Sequence, residues 1–262
     1  MKFNMHLKDG PFNAIKDGTK DIEMRLYDET RKQIKVGDII EFARNDDSES
    51  LEVVVLNLHV FDSFKEIYEK FDKERLGYKE NEVAHYKDME QYYPRENIEE
   101  NGVVGIEIML LDKISPAILT DHSICPTCFN KKHNGILYGD DTNTLVYEDD
   151  LIECFLVGNP RAKGHMAISS KKHYKDMMDI DDSMCEYVFK FAKKAMNIIK
   201  EIYDSESVYL CTMCDGPMNH FHLQLIPRYK DEKRGSTNFV KPRQNYVYDK
   251  EKFNKLKEKL NK

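Results

Sequence analysis

From His220 to Leu225 polar and apolar residues alternate strictly: His220-Phe221-His222-Leu223-Gln224-Leu225. This is the period-2 pattern of a strand with one polar and one buried face. His220, His222 and Gln224 share the polar face, and Phe221, Leu223 and Leu225 the other. Side chains two residues apart on such a face stand roughly 6.6 Å apart, so two imidazoles there can serve two different centres. Pro227 is expected to end the strand, and Arg228 to set a fixed positive charge at its exit.

The same reading along the chain predicts strands near residues 3–7, 39–42, 51–60 and 103–111. Helical turns are expected over 11–16 and again where Phe61, Phe64, Ile67, Tyr68 and Phe71 recur. Lys113 to Ala117 reads as a linker, because Pro116 breaks the preceding strand. Beyond it, strands are expected near 144–147, 152–157, 164–168 and 208–213, the last of them buried. Tyr187, Val188, Phe191, Ala195, Ile198, Ile199 and Ile202 form the apolar stripe of a long helix over 182–203, with Asp181 or Asp182 as its cap. The class is therefore α+β. A small, partly open barrel with helices at its edge occupies 1–114, and 115–123 is the linker. An antiparallel sheet backed by the long helix occupies 124–245, and 246–262 is a basic helix or tail.

Composition narrows the partners. The chain has 262 residues, 40% hydrophobic and 33% charged, which suits one large domain or two small ones. No apolar run approaches the roughly 20 residues that span a bilayer, so a cytoplasmic protein without a membrane partner is expected. The net charge of −7 is uneven: residues 221–262 carry about +7. A basic segment after the histidine strand favours a phosphate-bearing ligand, although the last residues also read as a solvated lysine-rich helix. The N-terminal part is acidic except across 16–35, which argues against duplex nucleic acid and suits a nucleotide or short RNA.

Two clusters carry candidate chemistry. Cys125-Pro126-Thr127-Cys128 reads as a tight knuckle whose two thiolates reach one Zn²⁺, leaving two ligands to be found, with a redox pair as the competing reading. His122, His133, His173 and His220 are candidates, and Cys211 with Cys214 offers a four-cysteine alternative. In Gly18-Thr19-Lys20-Asp21-Ile22-Glu23-Met24-Arg25, the side chains of Lys20, Glu23 and Arg25 either line one ligand cavity or form an ordinary surface ion pair.

Pro11-Phe12, the Ile15-Lys16-x-Gly18-x-Lys20-x-x-Glu23-x-Arg25 run, Val36-Gly37-Asp38-x-Ile40-x-Phe42 and Tyr92-Tyr93-Pro94 together resemble the ASCH domain, a small β-barrel related to PUA domains. The resemblance implies a site for RNA or a nucleotide around Lys20, Glu23 and Arg25. Some relatives are amidohydrolases that use Lys, Thr and Glu; Glu23 stands where their Thr would be.

Further on, Tyr147-Glu148-Asp149-Asp150, Gly164-His165-x-x-Ile168, Lys172-His173, the long helix and His220-Phe221-His222-Leu223-Gln224 follow in the order of the histidine-triad (HIT) superfamily, which they resemble. The resemblance implies that His222 attacks an α-phosphorus to form a nucleotidyl-histidine. It implies that Gln224 hydrogen-bonds the phosphoryl oxygens, as in the transferase and phosphorylase branch. Cys125, Cys128, His173 and His220 would then bind a structural zinc. Backbone N–H groups near Gly216, and Arg228, are expected to meet the developing negative charge. Val157 and Cys214 depart from the family's usual Asp and Asn, so the nucleoside is not carried over.

The expected activity is a nucleotidyltransferase, phosphorylase or hydrolase on a nucleotide, nucleotide-sugar or dinucleotide. The alternatives are a non-catalytic nucleotide- or RNA-binding protein, and a hydrolase removing adducts from nucleic acid. Related folds often dimerise, which makes a homodimer one expectation for the assembly.

Overall fold

Five strands build the first of the chain's two units, Met1–Ile124: β1 (Lys2–Leu7), β2 (Ile22–Leu26), β3 (Ile39–Arg44), β4 (Ser50–Phe61) and β5 (Val103–Leu110). The computed structural model describes residues 2–138, 144–214, 216–235, 241–244 and 249–262. The strands form one sheet in the order β1-β3-β4-β5-β2, with β1 parallel to β3 and the other pairs antiparallel. The sheet curls into a half-barrel. A register shift between Val55 and Asn57 marks a bulge in the 12-residue β4, where the long strand bends.

Alternation along β5 feeds two cores. Val104, Ile106 and Ile108 join Phe12, Phe42 and Val53, while Val103 joins Ile22, Met24, Phe64 and Ile67 on the opposite side. Helix α1 (Asp9–Lys16) closes the first core through Phe12 and Ile15. Helices α2 (Phe64–Lys70) and α3 (Arg95–Asn101) close the second through Phe64, Ile67 and Ile98. β2 is not among the expected strands; its Ile22, Met24 and Leu26 are buried between the charged Glu23 and Arg25. The expected linker is also largely structured: α4 (Pro116–Asp121) starts with Pro116 in its first turn, and Ser115 caps it by accepting the Ile118 N–H.

The second unit, Cys125–Lys262, holds α5 (Pro126–Lys132), β6 (Leu145–Glu148), β7 (Ile152–Leu156), β8 (Met166–Ser170), α6 (Asp182–Tyr203), β9 (Ser207–Cys211), β10 (His222–Arg228) and α7 (Lys250–Leu260). Its sheet is antiparallel throughout, in the order β6-β7-β8-β10-β9. Asp181 caps α6 by accepting the Met184 N–H, and the helix buries Val188, Phe191, Ala195 and Ile199 against Cys154, Ile168, Phe221, Leu223 and Leu225. The Asp149 carboxylate shapes the β6–β7 turn by accepting the Leu151 and Ile152 N–H groups and the Tyr147 and Tyr187 hydroxyls.

Three expectations change here. β9 is a half-buried edge strand, not a buried one. The basic C-terminal helix is part of the core, with Leu256 and Leu260 fully buried. Pro227 does not end β10, which runs on to Arg228 paired with β9. Pairing with β8 stops at Leu225, so the proline's missing N–H can fall on an unpaired edge without costing a ladder bond. No helix among the described residues is long and apolar enough to cross a membrane.

Gly164, just before β8, has φ +76°, and a Cβ there would lie 2.8 Å from Tyr203 Cδ2 on α6. Both the backbone region and the space demand glycine. Gly164→Ala is expected to cost about 1–3 kcal/mol, read as a lowered urea midpoint with an unchanged slope.

Candidate active site and metal-ligand cluster

The register of three strands lays out the polar face of the second sheet. Gln224 lies opposite Ala167, and Ala167 opposite Phe155; one step along, His222 lies opposite Ser169, and Ser169 opposite Glu153. Lys131 of α5 pairs with Glu153 at 2.8 Å and donates to Ser170 O at 3.2 Å, which lays α5 over this face. A cleft of about 230 Å³ opens there, lined by Thr127, Phe155, Val157, Ala167 and Ser169 together with His220, His222, Gln224 and Arg243.

Cys125, Cys128, His173 and His220 converge, their ligand atoms all within 4.8 Å of one another. Cys125 is the cap of α5, and its sulfur accepts the Cys128 N–H, so the first turn of the helix makes the knuckle. Cys128 Sγ stands 3.4 Å from His173 Nδ1 and 3.3 Å from His220 Nδ1, and Cys125 Sγ 3.7 Å from His220 Nδ1. Tetrahedral zinc with Zn–S near 2.3 Å and Zn–N near 2.05 Å sets S···N edges of roughly 3.5 Å. The donor set and its spacing therefore fit zinc. His220 Nε2–H donates to Ser170 O at 2.7 Å, which fixes the tautomer and leaves Nδ1 facing the sulfurs. The Cys125 thiol is held well below its usual range, first by the hydrogen bond from Cys128. Neither His122 nor His133 belongs to this group, and Cys211 and Cys214 stay outside it.

Next to this cluster, His222 Nδ1–H donates to His220 O at 2.9 Å, so Nε2 keeps its lone pair on the cleft side. Gln224 Nε2 lies 3.3 Å from that atom, and its amide N–H points at it. His165 completes the row. Its Nδ1 accepts the Arg161 N–H at 3.1 Å, which places the proton on Nε2. His165 Nε2 and Gln224 Oε1 are both buried, and neither has a hydrogen-bond partner among the described residues.

Burial, followed by the charge of Arg243, pushes the His165 pKa down to about 4. Between that value and the ordinary 6.5 the unfolded chain binds a proton that the folded chain refuses. Stability is therefore lost as the pH falls through this window, by about 3 kcal/mol at most. Unfolding titrations at pH 7.5 and pH 4.5 should show this loss, and His165→Gln should flatten it.

The other predicted residues are placed differently. Gly216 N–H is spent on Asn219 Oδ1 at 3.0 Å, and Asp215 lies outside the described residues. Arg228 is buried, ion-paired with Glu206 at 2.7 Å and bonded to Ser207 Oγ, Tyr229 O and Glu232 O. Its charge is neutralised inside the fold and it does not line the cleft. The cationic residue that does is Arg243, legible beforehand only as part of the basic excess after the histidine strand.

In the first unit, Lys20, Glu23 and Arg25 do come together. The Lys20–Glu23 pair is buried, 3.4 Å apart, and Arg25 pairs with the other Glu23 oxygen. This is not a surface ion pair. Lys20 Nζ also donates to Ile22 O at 2.6 Å and Leu76 O at 2.9 Å, so its three hydrogens are committed. Burial lowers its pKa against the pull of Glu23. All three residues line a cleft of about 830 Å³ with His6, Arg31, Tyr78 and Tyr92. It is larger than the cleft at His222.

Both units have relatives among known proteins. Residues 5–112 match the family model of the ASCH domain, and residues 139–231 that of the HIT domain. An uncharacterized HIT-like protein of Methanocaldococcus jannaschii is 33% identical over 101 residues, covering 37% of this chain and 78% of the relative. Another, from Borreliella burgdorferi, is 36% identical over 101 residues, covering 35% of this chain and 73% of the relative. Among solved structures, a zinc-bound histidine triad family protein from Mycobacterium smegmatis is 16% identical at a TM-score of 0.41, covering 52% of this chain and 93% of that one. With the two HIT-like relatives each matched over most of their length, the chain belongs to the HIT family and carries an ASCH domain ahead of its HIT domain.

Proposed function

We propose that the HIT unit is a nucleotidyltransferase, phosphorylase or hydrolase acting on a nucleotide phosphoanhydride through a covalent nucleotidyl-His222. The observation that carries this reading is the His222 ring, held by Nδ1–H on His220 O with Nε2 on the cleft side beside the Gln224 amide. The Nε2 lone pair attacks the α-phosphorus, and the P–O bond to the leaving group breaks with its electron pair going to the leaving oxygen. The oxygen of water or of an acceptor phosphate then attacks the same phosphorus. The P–N bond breaks back onto Nε2, and the acceptor's proton leaves with the product. The Gln224 amide N–H stabilises the phosphoryl oxygens while charge builds on them. Gln224 in the third triad position supports the transferase and phosphorylase branch.

Cys125, Cys128, His173 and His220 would hold zinc, which supplies rigidity and no open coordination position. His220 thereby fixes the carbonyl that orients His222. The ASCH unit holds a nucleotide or a short RNA element in its own cleft. Arg25 and Arg31 are its cations there, and Tyr78 and Tyr92 its stacking surfaces. We place the protein in the cytoplasm.

The test is to mix the protein with nucleoside diphospho-sugars and dinucleoside polyphosphates, quench without acid and weigh it intact. One nucleoside monophosphate added at His222 is the expected result, and the added mass names the nucleoside. Tight binding with neither adduct nor turnover would leave only a binding module.

A further inference from the structure

Arg243 reaches the cleft from beyond the HIT match, which ends at residue 231. Residues 241–244 run beside 159–161 and are pinned there. Gln244 N–H donates to Pro160 O at 3.0 Å, the Arg161 guanidinium donates to Lys241 O, and Arg243 itself donates to Asn159 O at 3.1 Å. Lys241 is also tied to Glu232. The strap is therefore a fixed part of the cleft wall.

Charge sets Arg243 apart from most of its neighbours; Arg161, likewise without a carboxylate partner among the described residues, donates to Lys241 O and does not line the cleft. Lys131 is paired with Glu153, Lys171 with Glu148 and Arg228 with Glu206. Among the described residues Arg243 has no carboxylate partner, and no Asp or Glu lines the cleft. Its field still reaches His165 behind Gln224.

Proton supply is the second constraint. A departing amine or alkoxide needs a proton, whereas a departing phosphate leaves as a stable anion. A guanidinium does not give up a proton near neutrality, and an amide does not either. His222 is the nucleophile, and His220 is committed to Ser170 O and the cysteine sulfurs. Thr127 and Ser169 are ordinary hydroxyls. No general acid lines the cleft among the described residues.

We propose that Arg243 binds the departing group, and that the cleft selects phosphoanhydrides whose leaving group is itself an anionic phosphate over phosphoramidates and simple esters. This rests on the nucleotidyl-His222 reading. As the bridging P–O bond breaks, its electron pair moves to the leaving phosphate, and the added negative charge meets the Arg243 guanidinium.

The experiment measures kcat/KM on two probes with the same nucleoside: a nucleoside diphospho-sugar and the matching nucleoside 5′-phosphoramidate. The wild-type protein is expected to favour the anhydride. Arg243→Gln is expected to lower the anhydride-to-phosphoramidate ratio by about 10- to 100-fold, the range of one charge-assisted hydrogen bond, and Arg243→Lys to recover part of it. Thermal unfolding of each variant checks the fold, and Arg243→Lys alone reads the ratio if the glutamine variant does not fold. A ratio unchanged by either substitution, or a wild-type preference for the phosphoramidate, overturns the proposal. His222→Asn is run beside them: loss of turnover on both probes keeps the covalent reading, so that an unmoved ratio sinks Arg243 alone. Retained turnover in His222→Asn sinks the covalent reading itself.

Discussion

His222→Asn is expected to lower turnover on the order of 10⁴-fold or more, and to abolish the covalent adduct, because no other group near the cleft offers an unshared pair at that position. The side chain is half-exposed, and its one strong contact is the bond to His220 O. Unfolding free energy should therefore change by no more than about 1 kcal/mol. The pairing of near-total catalytic loss with near-native stability separates a nucleophile from a packing residue. Single-turnover kinetics and intact mass on the same preparation measure both. Turnover within tenfold of wild type would falsify the assignment.

The second large effect concerns the cysteine–histidine cluster. Cys125→Ser is expected to reduce bound zinc from about one per chain to less than about half, and to destabilise the HIT unit by about 5 kcal/mol. That is well below the roughly 10–16 kcal/mol a structural zinc contributes to an isolated finger. Here the sheet and α6 keep a core of their own, with Ile168, Phe221, Leu223 and Leu225 fully or almost fully buried. The α5 knuckle, held besides the metal by buried Phe129 and by Lys131 on Glu153 and Ser170 O, should loosen first. Activity should fall with it, mostly in kcat, because His220 supplies both a ligand atom and the carbonyl that orients His222. Metal analysis and urea unfolding of the zinc-loaded protein check the first part, and a kcat-against-KM comparison the second. A variant that keeps its metal and its unfolding midpoint would show that the four residues are not the ligand set.

Much of this arrangement was legible in residue order because period and chemistry pointed the same way. The alternation over His220–Leu225 assigned the faces of β10 from His222 on, with Leu223 and Leu225 in the core, although His220 and Phe221 precede the strand. The α6 stripe and its Asp181 cap were equally plain. The misses have physical causes. Ile22, Met24 and Leu26 alternate with Glu23 and Arg25 as a strand should, but buried charges drew attention to ligands and away from pairing. Pro227 looked like a terminator because a local rule says nothing of where a neighbouring strand ends. Arg228 and Arg243 are indistinguishable as residue types. Only the fold shows that Glu206 neutralises the first and that a strap pinned to 159–161 carries the second to the cleft.

The committed ammonium of Lys20 has a consequence for labelling chemistry. An amine whose three hydrogens are held by Ile22 O, Leu76 O and Glu23 cannot present a free pair to an acylating reagent while the 73–78 loop stays closed over it. Among forty Lys and Arg side chains, most of them at the surface, it is a lysine whose modification would report local opening of the ASCH unit and not simple exposure.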